Sequence, residues 1–306
     1  SPFGSLVLST LWPVSLARLM AISFSPGLKY DFKQWFQSKI LPEYRTDFQL
    51  PIPADQAALM LARSFRDIGT HERFAKIVLV LGHGSVTVNN PFYAAYNCGA
   101  CGGRDGGPNA RLLSRLSNNK DVRQALEKNH QIKIPDDTIF VGANHNTTAD
   151  QIEFYDVDKL PESHKALFAD VQKIVNDARG LNALERCEKF LLASHVKTPE
   201  EALRHVQIRA NDLAEVRPEL NHATNAAVII GRRELTRGRF LDRRAFLPAY
   251  DPFSDDDKGT NLEHVLAPAL VVCSGINLEY LFSTIDESHS AGTKVPLNIV
   301  GNIGVL

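Results

Sequence analysis

Short apolar runs that end in glycine recur along the chain and set its predicted framework. Lys76 to Leu81 (KIVLVL) leads into Gly82-His83-Gly84, and Thr138 to Val141 (TIFV) leads into Gly142-Ala143-Asn144-His145. Ala226 to Ile230 (AAVII) precedes Gly231, and Leu270 to Val272 precedes Cys273-Ser274-Gly275. Runs this short, rich in β-branched residues and closed by turn formers, read as four buried strands. Helical periodicity lies between them. Pro161 to Arg179 places Leu167, Phe168, Val171, Ile174, Val175 and Ala178 on one face, with Pro161 at its first turn and Gly180 as its stop. Arg111 to Ser117, Asp121 to Lys128 and Glu201 to Val216 are predicted as further helices. Strands alternating with helices imply an α/β fold with a mostly parallel sheet and helices on both faces. Such sheets take ligands outside the carboxyl ends of their strands, where His83 and His145 fall.

Leu6 to Phe24 (LVLSTLWPVSLARLMAISF) is long enough to span a bilayer, but Pro13 and Arg18 interrupt it. The plain expectation is a buried helix pair, and the sharper one is a Trp12-containing surface that docks on a membrane partner. Asp251 to Gly259 (DPFSDDDKG) is expected to be a surface loop, since its carboxylates lack calcium-hand spacing. With 306 residues, one large domain or two closely packed ones are expected. The division drawn is an N-terminal helical segment over residues 1–70 and an α/β core with helical insertions over 71–306. A 44% apolar and 23% charged composition is that of a globular protein, and a formal net charge of -1 argues against a nucleic-acid partner. Four cysteines in this length make no disulfide scaffold, so a reducing compartment is expected. The start at Ser1 and the end at Leu306 lead to the expectation that the chain is part of a longer protein.

Chemistry is concentrated between Leu81 and Arg111. His83 follows a strand between two glycines, and Cys98 lies fifteen positions later in a second glycine-rich turn. Both are zinc-ligand types, and a catalytic zinc requires about three protein ligands. Cys98 and Cys101 are also spaced as a redox pair or half of a zinc ribbon, but no helix start follows Cys101 and no second pair exists. The glycines of CGGRDGG suit an anion cradle, yet a P-loop ending is absent. His145, in GANHNTTAD, is a candidate extra ligand, proton shuttle or orienting group, with a purely structural turn histidine as the plain alternative. Arg111 either braces the loop or meets an anion. The arginines at 232, 233, 237, 239, 243 and 244 form a basic run, read as a solvated face or as a surface for anions or a membrane partner. Gly84-Ser85 lacks the Gly-x-Ser-x-Gly elbow of a serine hydrolase.

Longer strings carry a resemblance. GHGSVTVNNPFYAAYNCGACGG, GGPNAR, IPDDTIFVGANHNTTAD, ERCEKF, RPELNHATNAAVIIGRRE, LDRRAFLPAYDP, APALVVCSGINLEYLFSTID and GTKVPLNIVGNIGV together resemble the DabA-type probable inorganic carbon transporter subunits, zinc proteins distantly similar to β-carbonic anhydrases. The resemblance implies a β-carbonic-anhydrase-like sheet and a Zn2+ held by a Cys-x-Asp pair on an earlier strand together with His83 and Cys98. No cysteine precedes Cys98, so the first ligand pair is expected outside this chain, which by itself would then be inactive. Cys101 or His145 could alternatively complete a local site. Also implied are hydration of CO2 by zinc-bound hydroxide coupled to bicarbonate accumulation, a DabB-type membrane-embedded antiporter-like partner, and a peripheral location on the cytoplasmic side of the membrane. A non-catalytic zinc-binding or scaffolding domain for such a transporter is the alternative.

Overall fold

In a computed structural model of the protein, the described residues are 12–17, 19–20, 27, 31, 52–86, 97, 104–212 and 225–270. Expectations that concern Cys98, Cys101, 213–216 and 271–272 lie outside them. Helix α1 (Ala54–Asp67) repeats small or apolar residues at helical spacing and buries Ala57, Ala58, Leu61, Ala62 and Phe65. Strand β1 (Ile77–Gly84) follows, then α2 (Gly107–Asn118), α3 (Lys120–His130), β2 (Ile139–Asn146) and β3 (Gln151–Phe154). Asn119 separates α2 from α3, and its side chain caps α3 by accepting the N–H groups of Asp121 and Val122. A long helix α4 (Glu162–Cys187) and α5 (Pro199–Arg209) come next, and Thr198 and Glu201 form a reciprocal capping box at the start of α5.

The main sheet has the order β1-β2-β3, with β1 and β2 parallel and β3 antiparallel to β2. Alternate residues of β1 and β2 face opposite layers. One face, carrying Val78, Val80 and Phe140, packs on α1, α2 and α3, where the rings of Phe65, Phe74 and Phe140 meet at centroid distances of 5.3 to 6.0 Å. The other face carries Ile77, Leu79, Ile139 and Val141, and packs on Phe168 of α4 and on Leu160. Helices on both faces were expected, and the described sheet has one parallel and one antiparallel pair. Helix α1 fills the same core as α2, α3 and Phe140, so a boundary at residue 70 would divide one packed unit.

Gly82 is required where β1 meets the start of α2. A Cβ there would stand 2.5 Å from the Gly106 carbonyl carbon and oxygen, both backbone atoms that cannot swing aside. Gly82→Ala is therefore expected to destabilise the protein by about 1–3 kcal/mol, as overpacking does. Chemical denaturation with an unchanged slope would record it as a lower midpoint.

Five expectations are corrected. Helix α4 does not stop at Gly180 but continues to Cys187, because Gly180 makes room for α5: a Cβ at Gly180 would lie 2.8 Å from Cβ of Pro199. Its buried residues are His164, Phe168, Gly180, Ala183, Arg186 and Cys187, so Ile174 of the predicted apolar face points outward. The run at 226–230 yields only β4 (Ala227–Val228), which pairs in parallel with β5 (Ala245–Phe246) in a separate small sheet, half exposed. Leu270 closes helix α6 (Thr260–Leu270) rather than opening a strand. In the N-terminal segment, residues 12–17 and 19–20 are helical, but Trp12, Val14, Leu16, Leu19 and Met20 are exposed instead of buried. Among the described residues no helix is long and apolar enough to cross a membrane.

The expected surface loop at 251–259 is a cap for α6. Asp255 accepts the backbone N–H groups of Asn261 and Leu262, and Asp256 accepts those of Lys258 and Thr260. Those carboxylates serve the orphan amides of a helix start.

Candidate functional site

His83 and His145 lie directly opposite one another in the parallel register of β1 and β2, near the carboxyl ends of both strands. Paired residues in neighbouring strands project to the same side of the sheet. Two to four positions earlier the same faces carry Leu79, Leu81, Val141 and Ala143, so both imidazoles project on the side that α4 covers. Several contacts hold this end of the sheet. The His83 carbonyl accepts the N–H of Gly106 at 2.8 Å, and the Gly84 carbonyl accepts the N–H of Thr147 at 2.8 Å. Asp105 accepts from the Gly107 N–H and from the Asn144 side-chain amide, both at 2.7 Å, and so ties the start of α2 to β2.

Beyond His83, Ser85 is fully buried and meets the Thr148 hydroxyl at 2.6 Å. Its N–H donates to the side-chain oxygen of Asn97 at 3.3 Å, and Asn97 is also fully buried. Asn97, the residue immediately before Cys98, is therefore held against Ser85, two residues past His83. Cys98 and Cys101 themselves lie outside the described residues.

A buried ionic network lies beside this point. Asp150, with no exposed surface and a φ of 47°, follows the turn after β2. One carboxylate oxygen meets His145 Nε2 at 3.0 Å and accepts from Asn182 Nδ2 at 2.8 Å. The other accepts from Arg186, which is itself fully buried and also donates to the Thr148 carbonyl at 2.7 Å. The Asp150 carbonyl accepts from Arg179. Burial alone would push the Asp150 carboxyl upward, but the hydrogen bond from His145 and the Arg186 charge outweigh it and hold the group below the ordinary carboxylate range. Its carboxylate thus orients His145 and joins the end of β2 to α4.

Arg111 is placed on α2 with its guanidinium committed to Asp156. Its Nε and Nη2 donate to the two carboxylate oxygens at 2.9 and 2.8 Å, and Arg115 makes a second two-point contact with the same group at 2.9 and 2.6 Å. Asp156 has a φ of 56°, so this clamp also holds a left-handed turn after β3. The two guanidinium hydrogen bonds depress the Asp156 carboxyl strongly despite partial burial. The neighbouring Tyr155 hydroxyl is pushed up to about 12, first by burial and then by Glu153 and Asp105. A depressed carboxyl contributes stability above its unfolded value near 3.9, and loses it as pH falls through the folded value. Asp156→Asn is expected to cost about 1–3 kcal/mol at neutral pH and to flatten stability against pH on the acid side. Denaturation midpoints measured across pH 2 to 7 check this, and an unchanged acid slope would contradict it.

Asp150 was named from the sequence as part of the His145 string but given no role, and Asn97 and Arg186 were not singled out, although each stood inside a noted string. The signal for Arg186 is its place between Ala183 and Cys187 on the buried stripe of α4. Among the described residues, no group of three His, Cys, Asp or Glu side chains could hold a metal ion. His83 is thus the described member of the predicted ligand pair.

Residues 2–306 match the family described as probable inorganic carbon transporter subunit DabA. The chain belongs to this family. A relative from Sorangium cellulosum, named probable inorganic carbon transporter subunit DabA 2, is 44% identical over 99% of this chain and 31% of its own length. Relatives carrying DabA names in Rhodopirellula baltica and Methylococcus capsulatus are 46% and 40% identical, over 82% and 98% of this chain and 24% and 28% of their own lengths. The chain spans less than a third of the length of these curated relatives. No solved structure matches it.

Proposed function

We propose that this chain forms part of a subunit of an inorganic carbon uptake system, and that His83 and Cys98 are two ligands of a Zn2+ ion at the carboxyl ends of β1 and β2. The observation that carries the reading is the hydrogen bond of Asn97 with Ser85, two residues past His83. Cys98 follows Asn97 by one Cα step, about 3.8 Å. Imidazole and thiolate are the donor types that zinc selects, so the local chemistry suits half of a ligand set. The resemblance puts the remaining ligands on an earlier strand, with His145 as the alternative within the described residues.

When bound, zinc supplies the positive charge that makes a water molecule nucleophilic toward CO2 near neutral pH. The chain's own residues supply the setting. Gly82 lets β1 approach α2 closely, and Asp105 and Asn144 fix the strand ends from which His83 projects. Asp150 holds His145 through its Nε2, on the face of the sheet that also carries His83. Arg111 enters through its clamp on Asp156 rather than as an open anion contact. The β-carbonic-anhydrase-like sheet, a DabB-type antiporter-like membrane partner, CO2 and bicarbonate as substrates, and a place on the cytoplasmic side of the membrane complete the reading.

Accumulation of isotopically labelled inorganic carbon tests it, in cells expressing the complete gene with its membrane partner. Uptake is expected to fall to background with His83→Ala and with Cys98→Ala at unchanged protein level. Uptake retained by both variants would leave a scaffolding role for this region.

A further inference from the structure

Residues 231–244 form a loop that is pinned at its base and apolar at its tips. The Gly231 backbone bridges to Ala249, and the Arg244 carbonyl accepts the N–H of Ala226 at 2.8 Å. Arg243 donates to Asn182 of α4, and Asp242 is ion-paired with Lys189 just past the end of that helix. Between these anchors a single 3-10 turn, Arg233–Leu235, and Gly238 at a φ of 71° reverse the chain. Leu235 and Phe240 stand 62% and 78% exposed. Past the Lys189 ion pair, Leu191 and Leu192 on a second short turn are 92% and 70% exposed.

The charge here contrasts with that of the whole chain. Residues 232–244 contain six arginines against Glu234 and Asp242, whereas the full sequence has a formal net charge of -1. Arg232, Arg233, Arg237, Arg239 and Arg244 are exposed. Two exposed apolar tips on one arginine-rich loop, with two more on the neighbouring turn, make an amphipathic cluster rather than a purely charged face. A rim of guanidinium groups around protruding Leu and Phe residues matches the boundary between anionic headgroups and acyl chains. Arginine also suits phosphate through its forked donors.

We propose that this loop, with Leu191 and Leu192 beside it, docks on a bilayer surface bearing anionic phospholipids. The proposal shares with the proposed function only a membrane location and does not depend on zinc. Each arginine near an anionic surface contributes about fivefold to partitioning, and each apolar tip contributes roughly tenfold when half of its surface leaves water.

The product of the complete gene is tested by flotation with vesicles of phosphatidylcholine alone or mixed with phosphatidylglycerol. Binding is expected only with phosphatidylglycerol present, and to be lost in about 1 M salt, where the screening length falls to about 3 Å. Arg237→Gln, Arg239→Gln and Arg244→Gln together should weaken it about 100-fold, and Phe240→Ser roughly tenfold. Backbone amides of residues 233–241 should exchange more slowly only when those vesicles are added. Equal binding by all variants, or amides already protected without lipid because other polypeptide covers the loop, would overturn the proposal. So would binding to RNA in place of vesicles that is insensitive to Phe240→Ser. His83→Ala should float like the unaltered protein, so a failure of the zinc reading leaves this result untouched.

Discussion

Asp150→Ala is expected to destabilise the protein by about 3–5 kcal/mol, the range found when one member of a buried ion pair is removed. The cause is the partner left behind. Arg186 is fully buried on α4, and without Asp150 it loses the carboxylate that neutralises its charge. Asn182 and His145 lose an acceptor at the same time. A second substitution, Arg186→Met, removes the stranded charge and is expected to recover part of the loss, because a buried pair replaced by apolar residues is often nearly neutral. The pH dependence follows from the depressed Asp150 carboxyl: its contribution is present above the unfolded value near 3.9 and disappears as pH falls through the folded value. Urea denaturation of the single and double variants measures both effects. A cost below about 1 kcal/mol, the level of an exposed pair, would mean that the network is not what joins β2 to α4.

His83→Ala is expected to lower zinc affinity in the product of the complete gene by more than about 100-fold, since loss of an outer partner alone costs 10–100-fold and a direct ligand contributes more. Competition with a chelator reads the affinity, and metal-free denaturation reads the fold. A similar loss in His145→Ala would show that His145 acts on the same ion. Affinity unchanged in His83→Ala would remove β1 from the site.

Much of the framework was legible because hydrophobic period and punctuation agreed at each place. IVLVL and IFV before glycine and histidine marked β1 and β2, whereas the Asn119 cap of α3 and the Thr198-to-Glu201 box of α5 went unread, so α5 was started two residues late. The errors have physical sources. Gly180 read as a helix stop because glycine favours helix ends, but close packing against Pro199 requires the same absent side chain. AAVII carries a strand signal and meets too short a partner to extend it, so only Ala227 and Val228 pair. The four-residue strand β3 was missed because QIEF is half polar.

Within the site, His83 and His145 were visible as residues at strand ends, and only the register shows them side by side. Asp150 and Arg186 meet across 36 residues of sequence, and no local pattern announces such a pairing. Arg111 illustrates the converse. Its position suggested an anion contact, and its partner is a carboxylate whose turn could not be foreseen.

X-ray absorption at the zinc edge, on the product of the complete gene, tests the central claim most directly. The account predicts a mixed shell with sulfur at about 2.3 Å and nitrogen at about 2.0 Å, the nitrogen part falling in His83→Ala and the sulfur part in Cys98→Ala. Absence of zinc, or a shell that both substitutions leave unchanged, would contradict it.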